Sequence, residues 1–133
     1  DEDGSARQTY IGLVCGPDDT LHLVYRHNRS GVDHYLPDYS YYMGLVYQRK
    51  PKGDAWGPAR PLVIPPVGGY SIYYHKLSID RAGGLWLSYN HWTDHAYQQD
   101  FPGRYHHRAM MTSRDGGDTW KLAQTEDFVE AVR

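Results

Sequence analysis

One cysteine, three glutamates and four lysines in 133 residues set the first limits on this chain. A single thiol, Cys15, allows no internal disulfide and leaves a cysteine-based zinc site without ligands. It reads as a small, buried apolar residue. The glutamates, Glu2, Glu126 and Glu130, all stand near the ends, so the interior holds no glutamate nucleophile or base for sugar hydrolysis. Charge of one sign is lacking too. A formal net charge of -2 gives neither nucleic acid nor anionic lipid a surface to be drawn to. No apolar run reaches the length of a membrane-crossing helix, and residues 1–8 lack the basic and apolar segments of an export signal. No nucleic-acid partner and no membrane partner is expected.

What the chain has in quantity is thirteen tyrosines, four tryptophans and eight histidines. Such side chains stack on flat apolar faces while offering hydroxyl and ring-nitrogen hydrogen bonds. Laid over itself at an offset of 64 residues, the sequence matches without a gap: Tyr10 falls on Tyr74, Leu13 on Leu77, Leu21 on Leu85, Leu23 on Leu87, Tyr25 on Tyr89 and His27 on His91. Register survives the long middle loop, after which Tyr41 falls on Tyr105, Gly53 on Gly117, Asp54 on Asp118 and Trp56 on Trp120. One unit therefore occurs twice, over 9–72 and 73–133.

Within each unit the apolar period is two: Leu21, Leu23 and Tyr25 alternate with His22, Val24 and Arg26, and Leu85, Leu87 and Tyr89 repeat the pattern. Turn residues precede each run, Gly16-Pro17-Asp18-Asp19 in one copy and Asp80 to Gly84 in the other, and predict a hairpin from the strand before. A third strand follows the middle loop, and a fourth follows a Gly- and Trp-containing turn. No stretch reads as helical. The fold class is all-β: two four-stranded antiparallel blades of a β-propeller, part of a larger or oligomeric ring.

Ser113-Arg114-Asp115-Gly116-Gly117-Asp118-Thr119-Trp120 fills every specified position of the pattern Ser/Thr-x-Asp-x-Gly-x-Thr-Trp. In this it resembles the BNR/Asp-box repeat of sialidase-like propellers. The first copy, 49–56, keeps Gly53 and Trp56 but lacks the Ser and the first Asp, and looks like a degenerate box. The phrases Thr20 to Arg26 and Leu77 to Arg81 resemble secreted bacterial BNR-repeat proteins related to propeller-type ulvan lyases. Such a box is a folding device rather than a catalytic motif: its Asp bonds amides of its own turn and its Trp plugs the hairpin. The resemblance implies a secreted or periplasmic protein with a polysaccharide or glycan partner.

Two blades alone leave apolar faces in water, so further partners are expected, either the remaining blades of a longer propeller or identical subunits closing a ring. The candidate site lies just past the alternating strands. There His27 and His91 occupy equivalent positions beside Arg26 and Asn90, and the loops beyond carry Tyr35 in one copy and Tyr97, Arg104 and His106 in the other. Tyr74 and His75 on the first strand of the second unit form a further cluster.

Tyr, His and Arg suit a lyase, which removes the proton α to a uronate carboxyl while a cation neutralises the carboxylate. The catalytic candidates are Tyr74 or Tyr89 for proton transfer, His75 or His91 as base, and Arg26 or Arg104 as carboxylate partner. Candidates for substrate binding are His27, Tyr35, Trp92, Tyr97 and His106. No cofactor is expected, and structural calcium or zinc is the weaker alternative, since His91 and His95 have a ligand spacing that belongs to helices. Two other readings stand beside the lyase or hydrolase: a non-catalytic lectin-like propeller stacking sugars on Trp92, Tyr35 and Tyr97, and a protein-interaction propeller. Divergent loops, with His34 facing Gln98 and Tyr35 facing Gln99, favour an asymmetric catalytic site over repeated lectin sites.

Overall fold

The computed structural model describes residues 6–30, 41–64, 70–93 and 105–132; at 6–10, 27–30, 41–43, 70, 71, 73, 91–93 and 105–107 it describes the backbone alone. Strands β1 (Ala6–Cys15), β2 (Leu21–Ser30), β3 (Tyr41–Lys50) and β4 (Arg60–Val63) form the first blade. Strands β5 (Tyr70–Ile79), β6 (Leu85–Thr93), β7 (Tyr105–Ser113) and β8 (Lys121–Leu122) form the second. Neighbours within each blade pair antiparallel, as the hairpin signals predict. One parallel bridge, Met43 to Ser71, links the blades along their ladders.

Alternation sends one face of each blade into a shared core. Val24, Leu45 and Tyr47 of the first blade meet Ile72, Leu77, Leu85, Leu87 and Tyr89 of the second. Burying each contributes about 1.5–3 kcal/mol. The blades approach so closely at Gly12 that a Cβ there would stand 3.1 Å from the Cβ of Leu77.

The equivalent faces differ in environment. Leu13 is 54% exposed whereas Leu77, its counterpart 64 residues on, is 8% exposed. Cys15 shares the open face with Ile11 and Leu13 and is exposed, not buried as the sequence suggested. Its apolar neighbours in the strand pattern are real, but the described residues place nothing over that side.

On the far face of the second blade, Lys76 and Ser78 are exposed where the first blade has Gly12 and Val14. There Trp86 is covered by Phe128, ring centroids 4.9 Å apart, from a short helix α1 (Thr125–Ala131). That helix corrects the expectation of an all-strand chain. Seven residues are too few to show a helical period, and the element is fixed instead at its N-terminus: Gln124 N–H donates to the Asp127 carboxylate at 2.8 Å, and Lys121 pairs with the same carboxylate at 2.9 Å. Among the described residues no helix is long and apolar enough to cross a membrane.

Truncating Leu87 to Ala, at a fully buried position, is expected to cost about 2–5 kcal/mol in urea unfolding. Leu13→Ala, on the open face, is expected to change stability by no more than about 0.5 kcal/mol.

Candidate functional site

Each first strand of a blade carries a bulge at the same repeat position. In β1 the register slips between Thr9 and Ile11, opposite Arg26 and Tyr25; in β5 it slips between Tyr73 and Lys76, opposite Asn90 and Ser88. The unpaired residue is Tyr10 in one copy, and in the other Tyr74 and His75 both stand against Tyr89. Tyr74 has φ of 52°, a left-handed conformation seldom taken by a large side chain, and its side chain stands 65% exposed. Such outliers persist where surrounding structure enforces them, and they gather at functional sites.

Beside it, His75 Nε2 donates to the Val24 carbonyl at 3.1 Å, so this histidine spans the two blades. Tyr89 lies opposite the bulge, buried within the core. Of the two candidate tyrosines, Tyr74 is the one facing solvent.

The ladder extends this cluster toward the 94–104 segment. His91 pairs in register with Ile72 and His107, and Trp92 with Ser71 and His106. His27 pairs with Gln8 and Gly44, and Arg26 with Thr9 and Leu45. Arg108 Nε donates to Asn90 Oδ1 at 3.3 Å across the ladder. The backbone thus brings Tyr74, His75, Tyr89, His91, Trp92 and His106 into one stretch of the β5–β6–β7 sheet. Tyr35, Tyr97 and Arg104 lie outside the described residues. Among the described residues no group of three or more His, Cys, Asp or Glu is placed to hold a metal ion.

The 113–120 turn sits at the opposite end of the strands. Asp115 accepts from Thr119 N at 2.8 Å, from Thr119 Oγ1 at 2.5 Å and from Ser113 Oγ at 2.9 Å. These bonds, the two from Thr119 foremost, hold its carboxyl down at about 2. Ser113 Oγ in turn accepts from Gly117 N at 2.9 Å, and Trp120 Nε1 donates to the Gly117 carbonyl at 3.2 Å. The carboxylate thus bonds an amide of its own turn, the contact the sequence suggested.

The turn also has a role the sequence reading missed. The carbonyls at its tip point to the first blade, where Arg49 donates to Gly116 O at 2.9 Å and Arg60 donates to Gly117 O at 3.0 Å and Asp118 O at 2.7 Å. Tyr47 donates to Gly116 O at 3.3 Å and meets the Trp120 ring edge-on at 5.3 Å. Burial pushes the Tyr47 phenol up to about 12, so it remains a donor at every physiological pH.

The Arg49–Asp118 pair, at 2.6 Å, has both partners more than a third exposed and contributes about 0–1 kcal/mol. Hydrogen bonds from a charged group contribute more, about 1.5–3 kcal/mol each. The available signal was the degeneracy itself: Arg49 stands where the second copy has Ser113.

No family model matches the chain, and no curated protein is significantly similar to it in sequence. Two solved structures are similar in fold. A protein of unknown function from Dyadobacter fermentans aligns over 88% of this chain with a TM-score of 0.61 and 17% identity. The α-L-arabinanase of Penicillium chrysogenum, solved with arabinobiose, aligns over 93% of it with a TM-score of 0.56 and 13% identity. The chain spans about a third of each, 35% and 33% of their lengths. At these identities the likeness is one of fold, and it agrees with two propeller-type blades.

The Asp115 carboxyl predicts an acid response of definite sign. A group held below its ordinary 3.8 contributes stability that is complete above that pH and is lost as pH falls toward about 2. Acid titration of unfolding should therefore show wild type losing stability through that window, and Asp115→Asn should start less stable and lose less within it.

Proposed function

We propose that this chain belongs to a carbohydrate-active β-propeller of the BNR/Asp-box kind, a lyase acting on uronate-containing polysaccharide outside the cytoplasm, secreted or periplasmic. The observation carrying this reading is the bulge that turns Tyr74 outward in a strained conformation, on the ladder that also bears His91, Trp92 and His106. The sugar-bound arabinanase among its structural neighbours supports a glycan as ligand.

In the reaction, Arg26 or Arg104 pairs with the uronate carboxylate, making the neighbouring C5 proton more acidic. His91 removes that proton. The electron pair left behind forms the C4–C5 double bond as the C4–O bond breaks, and the departing oxygen takes a proton from Tyr74. Side chains fill every role, and the step calls for no cofactor.

Tyr74→Phe is the direct test, because the side chain is 65% exposed and lies outside the apolar core. Elimination, followed by ultraviolet absorbance of the unsaturated product on the full-length protein, should fall by about 10²–10⁴-fold. Undiminished turnover would end this assignment. Glycan binding by an intact protein that forms no product would replace the lyase with the lectin-like reading.

The partner at the open face of the first blade is, in this proposal, another blade of the same architecture. Ile11, Leu13, Leu21, Leu23 and Tyr25 correspond at the repeat offset to His75, Leu77, Leu85, Leu87 and Tyr89, the side of the second blade that packs on the first. A ring of identical copies would instead set that apolar face against Lys76, Ser78 and the helix-covered Trp86. Light scattering on the isolated 133-residue chain should show concentration-dependent association without a closed endpoint, relieved by Leu13→Asp. A stable trimer or tetramer would overturn this choice in favour of identical subunits.

A further inference from the structure

At the turn end, remote from Tyr74, a cleft of about 500 Å³ opens between the blades. That volume is in the range of small-molecule sites, roughly 300–1,000 Å³. Its walls include Asp18, His22 and Arg49 from the first blade and Ala82, Arg114 and Asp115 from the second. Two hairpin tips close one side, where a Cβ on Gly83 would lie 3.4 Å from the Pro17 ring.

His22 is 3% exposed and sits in the wall of this cleft. Its Nδ1 is 2.8 Å from the Tyr47 hydroxyl, and that hydroxyl donates onward to the Gly116 carbonyl at 3.3 Å. In the tautomer that leaves the phenol proton on the Gly116 carbonyl, Nδ1 donates to Tyr47 and carries the imidazole proton. Nε2 is then left with a lone pair, for which the described residues supply no hydrogen-bond partner. Burial lowers the pKa of this ring and keeps it neutral, so the acceptor persists at neutral pH. A lone pair in the cleft wall can accept from a donor on whatever fills the cleft.

The cations around it are matched internally, and Asp18 accepts from Thr20 N at 3.1 Å. Arg49 pairs with Asp118 at 2.6 Å and Arg114 with Asp80 at 3.4 Å, while Asp115 is held by its own turn. No surplus cation remains to favour an anion. Acceptors at His22 and Asp18 line the cleft together with the guanidinium groups of Arg49 and Arg114, and a ligand meeting both kinds must both donate and accept. Vicinal hydroxyls do this.

We infer that the cleft is a second binding site, for a neutral hydroxyl-rich ligand of one or two sugar units, with one hydroxyl donating to His22 Nε2. The site is independent of the lyase assignment, which uses the other end of the strands.

The test is ¹⁵N NMR of the full-length protein labelled at histidine, titrated separately with D-glucose, with L-arabinose and with sodium acetate as an anionic probe. The free protein should show His22 in the Nδ1–H form, and a neutral sugar should shift its Nε2 resonance saturably. Ala82→Phe, which fills the cleft from an exposed backbone position, should weaken that response by about tenfold or more. Tyr74→Phe should leave it unchanged while abolishing any lyase activity, so the two assignments fail separately. A His22 resonance unmoved by either sugar, a response surviving Ala82→Phe, or a shift produced by acetate alone would overturn the proposal in favour of a water-filled or anion-binding cleft.

Discussion

Tyr47 lies where the two blades become one body. Its ring fills space between His22 and Trp120, and its hydroxyl links the imidazole of one blade to a carbonyl of the other. This contact depends on Gly117. A Cβ at that position would overlap the Tyr47 hydroxyl, and its φ of 90° is one that side-chain-bearing residues rarely adopt. The glycine turn therefore does two things at once: it closes its own hairpin around Asp115, and it brings carbonyl oxygens within reach of Arg49, Arg60 and Tyr47. The core beneath is apolar and undirected, and these polar contacts fix its register.

A duplication in sequence has become a division of labour in structure. Leu77, Leu85 and Leu87 close the interface, whereas their counterparts Leu13, Leu21 and Leu23 stand on a side that the described residues leave uncovered. Conversely, the second blade has exchanged the Gly12 and Val14 of its twin for Lys76 and Ser78, and laid Phe128 over Trp86. Changes of this kind are those expected where two repeats meet different surroundings.

The strands were legible because period-two alternation and a constant offset reinforce each other, and both copies gave the same hairpins. The bulge was not, since an extra residue in a ladder is defined only against its partner strand. Even so, the residue that forms it, Tyr74, had been singled out for its chemistry. The fate of Cys15 depended on what covers its side of the blade, which no local pattern encodes. Helix α1 was missed because it is too short to show a period and the ring it packs on, Trp86, lies far away in the chain; its one local signal was the cap formed by Gln124 and Asp127. The arginine contacts were hidden for the same reason: Arg60 and Gly117 are distant in sequence and neither belongs to a motif containing the other.

The loss of the serine from the first turn gives the pair a direction. Arg49 occupies that serine's place and reaches forward into the next blade, and Arg60 does likewise. At the same positions the second blade has Ser113 and Gln124, neither of them cationic. The halves are consequently not interchangeable despite their common ancestry in pattern: permuting their order would present a glycine turn to a blade with nothing to hold it, and the duplicated unit can be read in only one sense along the chain.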